Sequence, residues 1–284
     1  MQAVFPDPRN LSTPMFAPET LKSVEAQILE QCDAVDRVKD GLLEDPRRCN
    51  IDVAGLAGLS DGQRAALKKI YAETSGKEGA IYPAQPVGGE GEVDGWPAWI
   101  TGGGPYATPQ APSLGFALGT QFFKFLVFND PSWDYSDYDV ANARKDARLT
   151  ATFMNATNPD LDAFKAEGGK LIVWHGWSDP LTALASIKYY EQVQERDAGV
   201  RNYFRMFLMP GVLHCSGGPG PQTVDWPAAI ADWVENGKAP DQVIARKAAA
   251  GGAVSRTRPL CPYPQRAEYT GSGSTDDAAN FVCR

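Results

Sequence analysis

Two short apolar runs separated by one amphipathic segment constrain this chain most. KLIVWHG at 170–176 and YFRMFLMPG at 203–211 are continuous rather than alternating in hydrophobicity. Runs of that kind mark strands buried on both faces, as in a parallel sheet. Between them, residues 182–195 set Leu184, Ile187, Tyr190 and Val193 on one helical face. Residues 160–167 predict a short helix stopped by Gly168-Gly169, and DWPAAIADWVEN at 225–236 predicts another, closed by Gly237. The order of strand, loop and helix, repeated, is that of an α/β unit.

The first half reads differently. Residues 18–31 predict a helix with Pro18 early and Leu21, Val24 and Ile28 on one face. Residues 60–73 predict a second, with Ser60 and Gln63 spaced as a capping box ahead of Leu67, Ile70 and Tyr71. Residues 75–120 are rich in Gly and Pro and are expected to be mostly loop, carrying Trp96 and Trp99. QFFKFLVF at 121–128 reads equally as a strand or a buried helical turn. There is no internal repeat. A length of 284 residues permits one large domain or two of medium size.

Composition excludes some functions. Lys and Arg total 27 against 35 Asp and Glu, a formal charge of -8, which argues against nucleic-acid binding. No apolar run reaches the roughly 18 residues of a membrane span. Met1–Asn10 is polar and contains Pro, and no signal peptide is read there. The five cysteines are Cys32, Cys49, Cys215, Cys261 and Cys283, and the odd count leaves at least one thiol without an internal partner. Five reduced cytosolic thiols are one reading. Pairing is the other, since Cys32 and Cys49 bracket a short acidic segment and Cys261 and Cys283 bracket a Gly-, Ser- and Pro-rich tail. Disulfides imply an oxidising compartment.

Functional groups in open α/β sheets collect beyond the carboxyl ends of the strands. The loop after the first run carries Asp179, and the loop after the second carries His214. An acid followed by a histidine on consecutive strand ends is the order of the last two members of an α/β-hydrolase triad. The histidine would take a serine proton and return it to the leaving alcohol, while the aspartate orients the imidazole and stabilises its cation. The bland reading is a structural histidine on a strand-end loop. His175, at the end of its apolar run, reads as structural. A nucleophile is harder to place. G-x-S-x-G is absent, Ser178 occupies the acid loop, and Ser216 lies two residues after His214 on the base loop. A second constellation is CDAVDRVKDGLLED at 32–45. Asp33, Asp36 and Asp40, with the carbonyls of Val38 and Leu42, could form an oxygen shell suited to Ca²⁺, although not with EF-hand spacing. A solvated acidic helix end is the competing reading.

In these segments the chain resembles the tannase and feruloyl esterase family of α/β-hydrolases. The matching stretches are CDAVDRVKDGLLEDPRRC, LIVWHGWSDPLT, PGVLHCSGGPG with DWPAAIADWVENGKAP, and RPLCPYPQRAEYTGSG with ANFVC. The resemblance implies the C-terminal part of an α/β-hydrolase sheet plus a loop-rich lid. The lid, with a calcium site, would occupy 18–150, and the part carrying acid and base 151–284. It implies a Ca²⁺ site at Asp33, Asp36 and Asp40 by side chain and at Val38 and Leu42 by carbonyl. It further implies disulfides Cys32–Cys49 and Cys261–Cys283, and Asp179 and His214 as triad acid and base. Cys215 matches a cysteine that pairs with one beside the nucleophilic serine, in a C-S-x-G-G motif. The family's N-terminal portion, with its first strands, oxyanion hole, serine and signal peptide, is expected to lie outside this chain.

The lid of this family forms part of the pocket over the ester. Trp96 and Trp99 are therefore expected on an apolar substrate-binding wall, while Phe122 and Phe123 read as core and Trp133 stands between the two readings. The main expectation is a secreted or periplasmic serine ester hydrolase for small esters of aromatic acids, without nucleic-acid or membrane partners. The alternative is a non-catalytic, calcium-stabilised binding fragment or pseudoenzyme that needs an N-terminal partner.

Overall fold

A computed structural model describes residues 4–7 and 9–284. Helices α1 (Pro18–Cys32) and α2 (Asp61–Ile70) are followed by the strands β1 (Thr74–Gly76) and β2 (Gly79–Tyr82). Then come α3 (Leu114–Gln121), α4 (Ala143–Asp146), α5 (Arg148–Met154) and α6 (Asp162–Ala166). The last part runs β3 (Leu171–Gly176), α7 (Ala183–Arg196), β4 (Phe204–Met209), α8 (Trp226–Asn236), β5 (Val243–Ala248), β6 (Val254–Leu260), β7 (Ala267–Tyr269) and β8 (Phe281–Cys283).

Two compact units emerge. One comprises the residues up to Gln27 with Asp52–Thr157, the other Ile28–Ile51 with Asn158–Arg284. This corrects the continuous division at residue 150. The acidic segment belongs with the C-terminal residues for a physical reason. Asp40 and Arg258 form an ion pair whose side chains are almost wholly buried. Glu44 Oε1 accepts the Ala267 N–H at 2.9 Å. The Arg47 guanidinium lies 5.3 Å from the centre of the Trp177 ring and 5.5 Å from that of Tyr263. Removing one member of a buried ion pair strands the other charge, so the two halves of this unit hold each other in place.

In the C-terminal unit β3 and β4 pair in parallel, Leu171 opposite Phe204 through to Gly176 opposite Met209. Side chains alternate across the pair. Met206 and Phe204 join Ile187, Tyr190 and Val193 of α7 in one apolar cluster. Phe207 and Met209 join Val212 and Leu260 in another, which takes in Trp174 and Trp226. Each fully buried side chain of this size contributes about 1.5–3 kcal/mol of transfer free energy. The antiparallel pairs β5–β6 and β7–β8 complete the unit's strands, and the disulfides Cys32–Cys49 and Cys261–Cys283 cross-link it.

The other unit carries the expected capping box on α2, with Ser60 Oγ accepting the Gln63 N–H and Gln63 Oε1 accepting the Ser60 N–H. The segment expected to be loop also contains the β1–β2 hairpin and α3. QFFKFLVF resolves as helical, a π-helix over Phe122–Val127, because Phe123 turns onto Trp133, Phe128 and Tyr138 with ring centres 5.1–5.9 Å away. Trp96 is fully buried and packs on Tyr71 at 5.4 Å. It is a core residue of this unit, which corrects its expected place on a pocket wall. Trp99 is half-buried in the π-helix Pro97–Thr101.

Tyr71 also reaches a buried acidic pair, Glu90 and Glu25. Glu90 Oε1 accepts from Tyr71 Oη and from the Gly88 N–H, both at 2.8 Å. Glu25 accepts the N–H groups of Gly89 and Gly91. Burial, then the charges of Glu90 and Glu92, push Glu25 up from 4.5 to about 7 against those amides. A folded-state value above the unfolded one adds stability below about pH 4.5 that is lost as pH rises through 7. Melting curves across pH 4–8 should therefore show Glu25→Gln flatter than the parent chain. Parallel curves would remove this assignment.

Candidate active site

The two strand-end loops are fastened together by backbone. Trp177 N–H donates to Met209 O at 2.9 Å and Ser178 N–H to Val212 O at 3.1 Å. Gly176 is what permits this approach, because a Cβ there would sit 2.1 Å from the Val212 carbonyl oxygen. In the base loop, Gly220 N–H donates to Gly211 O and Leu213 N–H to Gly217 O. Cys215 adopts a left-handed φ of 62° immediately after His214, and its thiol is exposed and unpaired. The Gly217 N–H is held by Gln222 Oε1.

Within this frame His214 Nδ1 stands 3.1 Å from Asp179 Oδ2. Asp179 Oδ1 accepts the Leu181 N–H at 2.8 Å. The Asp179 side chain is 6% exposed and that of His214 35%, so the acid is sheltered while its imidazole reaches solvent. Burial opposes ionisation of Asp179. The His175 ring beside it, with hydrogen bonds from Leu181 and His214, outweighs it and holds the carboxyl below the ordinary aspartate range. An ionised Asp179 accepting at Nδ1 fixes the proton on that nitrogen and makes Nε2 of His214 the nitrogen able to accept one. The sequence-predicted acid and base are thus brought together.

His175, read as structural from the sequence, is closer to the chemistry than expected. Its Nε2 lies 3.1 Å from the same Asp179 Oδ2, and its Nδ1 2.9 Å from Ser186 Oγ. The Nε2–H does not point along the line to the carboxylate, so this contact is electrostatic more than a hydrogen bond. The four-residue spacing in HGWSD was the only available hint. Arg47 was missed altogether. It forks onto Asp45 (Nε to Oδ1 2.8 Å, Nη2 to Oδ2 2.7 Å) while covering Trp177 in the acid loop.

The aspartates of the acidic segment fold into a turn. Asp33 accepts the Asp40 and Gly41 amides, Asp36 those of Val38 and Glu44, and Asp40 that of Leu42. Burial raises Asp36 to about 6 and Glu44 to about 8. Among the described residues no three His, Cys, Asp or Glu side chains converge on a point that could hold an ion.

A family model described as "Tannase and feruloyl esterase" matches residues 7–284. The chain belongs to the tannase and feruloyl esterase family. It is 35% identical to an uncharacterized esterase of Xanthomonas campestris pv. campestris, over 93% of this chain and 54% of that protein. It is 32% identical to the mono(2-hydroxyethyl) terephthalate hydrolase of Piscinibacter sakaiensis, over 94% of this chain and 52% of that one. The crystal structure of feruloyl esterase B from Aspergillus oryzae superimposes with a TM-score of 0.81 at 25% identity, covering 99% of this chain and 59% of that chain. The chain spans about half the length of the curated relatives it matches. As the resemblance to the tannase and feruloyl esterase family implied, Cys32 is bonded to Cys49 and Cys261 to Cys283.

Gly176→Ala should therefore uncouple acid from base. The added methyl meets a backbone oxygen that cannot rotate away, so we expect a loss on the order of 1–3 kcal/mol or more in denaturant melts. A variant as stable as the parent would show that the loops are not held by this contact.

Proposed function

We propose that this chain supplies the acid and base of a serine carboxylic ester hydrolase acting on esters of aromatic acids. The observation that carries the reading is the Asp179–His214 pair at 3.1 Å on adjacent parallel strand ends. In this reading His214 Nε2 removes the proton from a serine hydroxyl as it attacks the ester carbonyl, then protonates the departing alkoxide. Asp179 stabilises the imidazolium in between. The serine comes from a segment outside residues 1–284, with a cysteine beside it as partner for Cys215. Ser216 is not the nucleophile, since it follows its own base by two residues.

Substrate class follows the named relatives, one a terephthalate monoester hydrolase and another a feruloyl esterase. Trp99 remains the proposed aromatic contact, and residues of the first unit are proposed as the lid. Two disulfides fit a secreted or periplasmic protein. No helix among the described residues is long and apolar enough to cross a membrane.

Ca²⁺ is proposed at Asp33, Asp36 and Asp40 with the carbonyls of Val38 and Leu42. The donor set fits in kind, being all oxygen. The ion would brace this loop rather than take part in the ester chemistry. Chelator should lower the melting temperature and added Ca²⁺ restore it. Identical melts with and without chelator would remove the site.

The catalytic reading is tested in the hydrolase carrying its serine segment, with a hydroxycinnamate ester as substrate. Asp179→Asn should reduce kcat by about four orders of magnitude with KM little changed, and His214→Ala by at least as much. A His214→Ala enzyme that keeps its rate but loses it with Ser216→Ala would overturn the assignment.

A further inference from the structure

The C-terminal strands hold an arrangement that the ester chemistry does not use. A cavity of about 290 Å³ in the C-terminal unit is lined by Asp36, Arg37, Arg48, Arg266, Glu268 and Arg284, among others. Arg266 and Arg284 exchange both backbone hydrogen bonds, at 2.9 and 3.0 Å. They therefore sit directly opposite each other at the end of β7–β8 with their side chains on one face. Like charges in that position destabilise a sheet. Glu268, two residues along on the same face, is their shared counterion, 3.0 Å from Arg266 and 3.9 Å from Arg284.

One carboxylate does not balance what converges there. Arg37 and Arg48 line the same cavity from the acidic segment, and among the described residues neither forms an ion pair, although Arg48 Nη2 donates to the Val35 carbonyl at 3.2 Å. Asp36, the other acid in the wall, already accepts two backbone amides. Arg266 Nε is shut off from solvent with no hydrogen-bond partner.

We propose that this cavity is a binding site for a small oxyanion, received by the forked guanidinium groups of Arg266, Arg37, Arg48 and Arg284. Guanidinium pairs its N–H groups in parallel with the oxygens of a carboxylate or phosphate, which selects oxyanions over halides. The ligand is thus a small organic carboxylate or an inorganic oxyanion. The site shares no residue with the Asp179–His214 pair, so it stands or falls independently of the ester chemistry.

The test is titration of the full chain with benzoate, with inorganic phosphate and with chloride, read by the arginine Nε–H NMR resonances. Benzoate or phosphate should shift Arg266 saturably, and whichever binds tighter identifies the ligand as organic or inorganic. Arg266→Gln should weaken binding about ten-fold or more, and Arg37→Gln likewise, while Arg196→Gln, outside the cavity, should change nothing. If Arg266→Gln fails to fold, Arg284→Gln, whose side chain is 72% exposed, is read in its place. No saturable shift at tens of millimolar, an equal response to chloride, or unchanged affinity in the arginine variants would each overturn the site.

Discussion

The meeting of Asp179 and His214 depends on how closely two backbone segments approach at the ends of β3 and β4. Parallel pairing sets Gly176 opposite Met209, and the absence of a side chain at Gly176 lets the next turn press against the carbonyl of Val212. That contact fixes the spacing between the two loops. Asp179 and His214, thirty-five positions apart in sequence, then meet at 3.1 Å. The apolar clusters on the two faces of the strands supply the stability that keeps so close a contact in place.

A second layer of organisation is electrostatic. The segment between Cys32 and Cys49 is bound to the C-terminal strands by Asp40–Arg258, by Glu44 on the Ala267 amide and by Arg47 over Trp177 and Tyr263. Through Arg47 it also touches the loop that bears the acid. Calcium, where proposed, would act on that tether, so its influence on the acid–base pair would pass through position rather than chemistry. The same strands carry the arginine-lined cavity, whose opposed like charges break a rule of sheet pairing. Such violations concentrate at functional sites.

Much of this was legible in the residues themselves. The α/β unit showed in the continuous runs at 170–176 and 203–211, and the pairing of Asp179 with His214 in their place just beyond them. The disulfide pairing came from family resemblance, because cysteine spacing alone left it open. What stayed hidden was non-local. No periodicity tells that Ile28–Ile51 packs with the far end of the chain, since that depends on one ion pair and hydrogen bonds formed across more than two hundred positions. Trp96 sits in a Gly-rich stretch that reads as surface loop, yet it is fully buried and packs on Tyr71. The β1–β2 hairpin is too short for alternation to register, and α3, apolar with two glycines, offers no polar face to mark it as a helix. That His175 lies against the same Asp179 oxygen as His214 is something only the fold reveals.

The central claim is that Asp179 orients His214 as a base. The chain has only two histidines, so the imidazole nitrogens can be assigned without ambiguity by ¹⁵N NMR at neutral pH. The account predicts that His214 carries its proton on Nδ1, with a downfield hydrogen-bonded signal that Asp179→Ala abolishes while the fold persists. A His214 protonated on Nε2, or one whose signals ignore that substitution, would contradict it.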